Sequence, residues 1–202
     1  MRKPDEDPDF KLVKELIFTP RGLRLGRFTH EETQTGRTPD FRVFRLEELV
    51  AFCEVKSPRD DWLDNQLDGA PPFTQVGGAR ADPTFNRIAR HVAKAATQFD
   101  AVNSGRSALN LLTFVNHDAT SHYADLHETL TGVFHAASGE RFQTMPHISE
   151  RWIGEAKRRI DLFAWINARE RKVEGYIFNE EDAGSVTRVC DLLGMDREKI
   201  RR

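Results

Sequence analysis

Cysteine is nearly absent: Cys53 and Cys190 are the only two in 202 residues. So far apart, they offer neither a disulfide framework nor the paired spacing of a zinc site. Long apolar runs are missing too, and no stretch approaches the ~18 consecutive apolar residues of a membrane span. The opening MRKPDEDPDF lacks the apolar core of a signal peptide. The expectation is a cytoplasmic protein with both thiols reduced. Charge of one sign does not predominate either: Lys+Arg 30 faces Asp+Glu 32, a formal net charge of −2. That balance excludes nucleic-acid binding by polycationic attraction alone, yet leaves room for a locally basic cleft. Repeats and low-complexity tracts are lacking, and the length suits one domain.

What is present is an interleaving of helix and strand signals. Residues 1–8 are charged and proline-bearing, as in a frayed end. A helix is expected over 9–18, with Asp9 as N-cap and Pro20 closing it. Phe10, Val13 and Ile17 share one face of it, and Lys11 and Glu15 form an i,i+4 pair. Residues 21–28, with alternating Leu23 and Leu25, read as a first strand, while 30–38 is polar, turn-rich and unassigned. Strands follow at 40–44 and 49–56, joined by a turn at 45–48. The second is apolar enough to be central in a sheet. A long Pro-, Gly- and Asp-rich loop spans 57–83. Beyond it a helix is expected over 84–100, a buried strand over 108–115, and helices over 121–137 and 149–158. A hairpin of 160–168 and 172–178 and a last helix over 186–193, ended by Gly194, complete the chain. The fold class is α/β, a central mixed β-sheet flanked by helices.

The chemistry concentrates on the hairpin of the second and third strands. Pairing Phe44 with Val50 sets Asp40 directly opposite Glu54, their Cβ atoms roughly 5 Å apart on one face. Lys56, two residues beyond Glu54, emerges on that same face. A slip of one residue in register destroys the patch. Burial raises the pKa of each acid unless a cation compensates. Lys56 supplies one positive charge, and an oxygen-seeking Mg²⁺ or Mn²⁺ supplies two more. The Val55 carbonyl, between Glu54 and Lys56, is a candidate further ligand. Such an ion polarises a phosphoryl oxygen and lowers the pKa of a bound water. Lys56 then orients that water or steadies the charge of the transition state. The plain alternative is a structural ion-pair cluster, but a buried ion pair gains little net stability.

The 84–100 helix carries an apolar stripe of Phe85, Ile88, Ala89, Val92, Ala95, Ala96 and Phe99. Opposite it, Arg87, His91, Lys94 and Gln98 form a polar ridge, three of whose members can carry positive charge. Beside the sheet edge bearing Asp40, Arg87, His91 and Lys94 are candidates for seating a phosphodiester strand. A solvated helix face is the plain alternative.

Pro39-Asp40, thirteen intervening residues, then Glu54-Val55-Lys56 resembles the PD-(D/E)XK nuclease superfamily, the restriction-endonuclease-like fold. The order helix, three-stranded meander, helix, strand read over 9–118 is similar to that family's core. The resemblance implies a restriction-endonuclease-like sandwich over 9–118; it does not extend to 119–202, where the helices and β-hairpin read from the pattern are expected to pack on the same domain. It implies metal ligation by Asp40 and Glu54, catalysis by Lys56, and hydrolysis of DNA. The family's first-helix glutamate is best matched by Glu15, with Glu31 and Glu32 as rivals, and its polar residue on the following helix by Gln98. The alternative is a catalytically inactive nuclease-like fold acting as a binding, immunity or regulatory protein. A third option, a junction-resolving or repair nuclease, requires a homodimer to cut two strands symmetrically. No zipper or dimer stripe supports one.

His117, His122, His127, His135 and His147 match no zinc spacing and read as surface or packing residues. Trp62, in an acidic stretch, reads as a loop anchor or a base-stacking residue. Gly77-Gly78 completes no phosphate-binding motif. Arg158-Arg159 and the basic residues of 169–172 read as solvated charge.

Overall fold

The computed structural model describes residues 7–58, 66–76, 84–119, 121–136 and 138–200. Residues 1–6, Trp62 with its acidic neighbours, and Gly77-Gly78 lie outside the described residues. Helix α1 (Pro8–Val13) runs on through a wider π-type stretch (Lys14–Phe18) and a tight turn (Thr19–Arg21) to Gly22. Its N-cap is Asp7 and not Asp9, the Asp7 side chain accepting from the Asp9 N–H at 2.9 Å. Pro8 explains the shift. A proline has no N–H to lose and sits at the first helical position, so the cap is the residue before it. Pro20 does not end the helical path either, since the chain tightens through it for one further turn.

Strand β1 (Arg24–Gly26) precedes α2 (His30–Thr35), a helix in the stretch left unassigned by its polarity. A capping box starts it: the Glu32 N–H donates to Thr29 Oγ1 at 3.2 Å, and the Thr29 N–H donates to Glu32 at 2.7 Å. Then come β2 (Phe41–Arg45), β3 (Glu48–Lys56), α3 (Thr84–Val102) and β4 (Leu109–Asn116). The helix expected over 121–137 is shorter. Helix α4 (Tyr123–Thr131) stops at Gly132, whose φ of 74° and lack of a Cβ let the chain turn beside Ser149. From there the chain forms a small hairpin of β5 (Val133–His135) and β6 (Arg141–Gln143). A π-type turn (His147–Trp152) leads into α5 (Gly154–Arg158), which replaces the single helix expected over 149–158. The expected hairpin is β7 (Leu162–Asn167) and β8 (Lys172–Phe178). Helix α6 (Ala183–Leu193) starts before residue 186 because the Asp182 side chain caps it, accepting from Gly184 and Ser185 N–H groups at 3.0 Å. A short α7 (Arg197–Ile200) completes the described chain.

The molecule is α/β. One six-stranded mixed sheet, in the order β1-β2-β3-β4-β7-β8, is flanked by helices. The central strands β3, β4 and β7 run parallel, and both edges are antiparallel. Alternation along the strands sends residues to two cores. Ala51, Cys53 and Val55 join Leu111, Val115 and Ala164 under α1 and α6. Phe52, Leu112, Phe114 and Trp165 pack under α3 and α4 on the other face. Glu54 and Lys56 share the parity of Phe52 and so emerge on the α3 side. Among the described residues, no helix is long and apolar enough to cross a membrane.

Candidate active site

The β2–β3 ladder pairs Val43 with Ala51, Arg42 with Phe52 and Phe41 with Cys53. One step further, Asp40 faces Glu54, as expected. The anchoring pair is different, however. A bulge takes up Val50, so Phe44 faces Leu49. The irregularity lies toward the turn and leaves the register at the site intact.

The two acids are tied to each other's backbone. The Asp40 N–H donates to Glu54 Oε2 at 3.0 Å, and the Val55 N–H donates to Asp40 Oδ2 at 2.8 Å. Lys56 Nζ donates to Glu54 Oε1 and reaches Gln98 Oε1 at 3.5 Å. Gln98 in turn donates through Nε2 to the Thr38 carbonyl at 2.8 Å. Helix α3 thus holds the irregular segment leading into Asp40 and the lysine with a single side chain.

Electrostatics make the pair expensive. Glu54 is 1% exposed. Burial, then the Asp40 charge, push its carboxyl up to about 7, with Lys56 acting in the opposite sense. Asp40 is raised too, chiefly by burial, while the Val55 N–H and the charges of Lys56 and Arg27 pull it down. Each acid thus lies against the other, its carboxyl bonded to a backbone N–H of the opposing segment. Two acids in that position retain a proton near neutrality or exchange it for a cation.

The donor set suits a hard divalent ion. Continuing the ladder sets Pro39 across from Val55, and a proline has no N–H to give the Val55 carbonyl. Two carboxylates and that carbonyl are all oxygen donors. Among the described residues no three His, Cys, Asp or Glu side chains converge as a metal-binding group. So sparse a set fits Mg²⁺, which keeps several of its waters. Cys53 points to the opposite core, its thiol pushed up by burial and therefore inert.

The remaining predicted residues are placed unevenly. Gln98 is in the cluster. Glu15 is not: it pairs with Arg171 at 2.6 Å and with Lys11 at 3.9 Å. Glu32 is committed to Arg42, which holds its carboxyl down to about 2, and Glu31 is exposed on the same turn. On α3, Lys94 is exposed and Arg87 reaches the Pro58 carbonyl at 3.5 Å. His91 differs from the expectation of a cation. Its ring meets Phe114 edge-on at 6.3 Å, and burial, then the Lys56 charge, bring it down to about 4, so it is neutral at pH 7.

One acid escaped the sequence reading. Asp9, 7% exposed, accepts from Ser57 Oγ at the end of β3 and pairs with His117 Nε2 at 2.7 Å beyond the end of β4. Assigning it as the N-cap concealed it, although Pro8 marked Asp7 for that position. His117 is therefore tied to the helix rather than merely packed. Family models, curated proteins and solved structures yield no match to the chain.

Proposed function

We propose that this protein is a metal-dependent nuclease of the PD-(D/E)XK kind, hydrolysing DNA phosphodiester bonds on a restriction-endonuclease-like fold. The observation that carries the reading is the mutual tie of Asp40 and Glu54, with Glu54 accepting from the Asp40 N–H, Asp40 accepting from the Val55 N–H, and Lys56 bound to Glu54. The order α1, β1, α2, β2, β3, α3, β4, with β1-β2-β3 antiparallel and β4 parallel to β3, supports it. Asp40, Glu54 and the Val55 carbonyl are the groups to hold Mg²⁺ or Mn²⁺. When bound, the ion supplies charge to polarise a phosphoryl oxygen and acidify water. Lys56 donates from Nζ to the attacking water or to the oxygen on which charge develops. Gln98 fixes the lysine, and Lys94 and Arg87 offer charge to the substrate backbone along α3.

The second reading, a nuclease-like fold used for binding or regulation, is favoured by the Lys56–Glu54 ion pair, which already offsets one of the two acids. Linear, circular and single-stranded DNA incubated with Mg²⁺ or Mn²⁺ separate the two. Cleavage by the wild type, with Lys56→Ala slower by about 10³, is the expected result. No cleavage of any substrate, with no metal bound by calorimetry, overturns the nuclease.

A further inference from the structure

On the α1 side of the sheet, away from α3, a cavity of about 400 Å³ opens between α1 and β1. Phe10, Leu25 and Phe41 contribute its apolar surface, and Lys11, Lys14 and Arg27 its positive charge. Topology explains Arg27. The β1–β2 register pairs Gly26 with Arg42, so the next residue lies across from Phe41, the neighbour of Asp40. Its guanidinium stands 4.5 Å from the Phe10 ring centre and 5.0 Å from that of Phe41, and those rings meet edge to face at 5.0 Å. Stacking of this kind orders a planar cation in advance. Its charge is felt at Asp40. Among the described residues the groove is lined by a single carboxylate, Glu15, which is offset by Arg171 and Lys11.

We propose that this groove seats the sugar-phosphate backbone of the nucleic acid that the Asp40–Glu54 site acts on, with Arg27 at its inner end and Lys11 and Lys14 along its rim. The assignment rests on the nuclease reading for its direction, since the strand leads to Asp40. Phosphate is the fitting ligand because Lys11, Lys14 and Arg27 bring three positive charges to the groove, and the forked donors of a guanidinium match phosphate oxygens. An acidic protein lacks the regular charge spacing that draws on all three cations at once. The substrate then straddles the sheet edge, between this groove on one side and the α3 ridge on the other.

The test uses the full chain and a short fluorescein-labelled DNA duplex, with binding read by anisotropy in EDTA over a salt series. Lys11 and Lys14 are exposed, so the double variant Lys11→Ala/Lys14→Ala leaves the core untouched. It is expected to bind about tenfold more weakly, with the slope of log K against log salt reduced by about two. Arg141→Glu, on the exposed β5–β6 hairpin, is expected to change neither quantity. Arg27→Gln, once its thermal melt shows a folded protein, is expected to weaken binding as well. Equal affinity and slope for the lysine double variant overturn the groove, as does an absence of wild-type binding at low salt. If the double variant loses affinity but no form of the protein cuts DNA with Mn²⁺, the nuclease reading fails while the groove stands. If the wild type cuts and the double variant binds unchanged, the groove fails alone.

Discussion

At the N-terminal ends of β4 and β7, Asp161 is as deeply buried as Glu54 is at the C-terminal end of β3, yet the two carboxylates have opposite neighbours. Asp161 is surrounded by donors. Its Oδ2 accepts the Asn110 N–H at 2.7 Å, and its Oδ1 accepts Ser185 Oγ at 2.6 Å and the Arg106 guanidinium. Even its backbone is paired, giving its N–H to Asn110 and accepting from Asn179. Glu54 instead faces another acid. One lysine and one backbone N–H bond to it and the Gln98 amide also favours its charged form, yet its pKa rises toward neutrality. A buried acid whose lone pairs are filled from within the chain locks elements together. A buried pair that repels leaves a free-energy cost that a retained proton or an added cation removes. The contrast sets a buried acid satisfied from within the chain beside one that is not.

The largest expected effect breaks the structural cluster. Asp161→Ala strands Arg106, Ser185 and the Asn110 N–H at the junction of β4, β7 and α6. Breaking a buried pair from one side costs about 3–5 kcal/mol. For a chain of this size that is a fall in melting temperature of roughly 6–12 °C or more. Scanning calorimetry reads it directly. DNA cleavage per folded molecule, assayed at low temperature, is expected to stay at the wild-type level.

The next effect is smaller and depends on pH. In an unfolded chain Glu54 titrates near 4.5, and in the folded protein at about 7. Between those values the folded state keeps a proton that the unfolded state has released, so stability present at low pH is lost as pH rises, by at most about 3 kcal/mol. Urea denaturation of metal-free protein at pH 5 and pH 8 is therefore expected to show a larger drop for wild type than for Glu54→Gln, which has no proton to lose. Added Mn²⁺ at pH 8 is expected to restore wild-type stability and to leave the variant unmoved. An identical pH response in both proteins would return Glu54 to the class of Asp161.

Legibility in the sequence tracked the range of the interactions. The site was readable because period-two alternation and one short turn sufficed to bring Asp40, Glu54 and Lys56 to one face. The bulge at Val50 was not, since nothing in Glu48-Leu49-Val50-Ala51 announces an extra residue, yet it fell where it did no harm. The sheet itself was legible as runs of apolar residues, whereas the order of its strands rests on crossovers spanning dozens of residues. Helix α2 was missed despite an explicit Thr29-x-x-Glu32 signal, because its polar surface shows no apolar period. Gly132 and Asp182 were equally explicit boundary marks inside and before helices whose ends were set by hydrophobicity alone. Arg27 could not be found from sequence. Its partners Phe10 and Phe41 lie on different elements, and only the β1–β2 register brings it beside Asp40.

The smallest effects give the sharpest form of the comparison, because each removes one hydrogen-bonding side chain beside a buried acid. Ser185→Ala takes one of several donors from Asp161, an acid at 0% exposure that keeps Arg106 and the Asn110 N–H. A single lost hydrogen bond in such a network costs about 1–2 kcal/mol, and cleavage kinetics should not register it. Gln98→Ala takes from Lys56 a contact of 3.5 Å and from the Thr38 carbonyl one of 2.8 Å, both at a half-buried site that water can reach. Its cost in stability is expected below about 0.5 kcal/mol. The lysine, however, is then positioned by Glu54 alone, and kcat is expected to fall about tenfold with KM unchanged. Stability moves without rate at Ser185, and rate without stability at Gln98. If Gln98→Ala instead lowers stability as Ser185→Ala does and spares kcat, the glutamine belongs to the packing of α3 on the sheet and Lys56 holds its place without it.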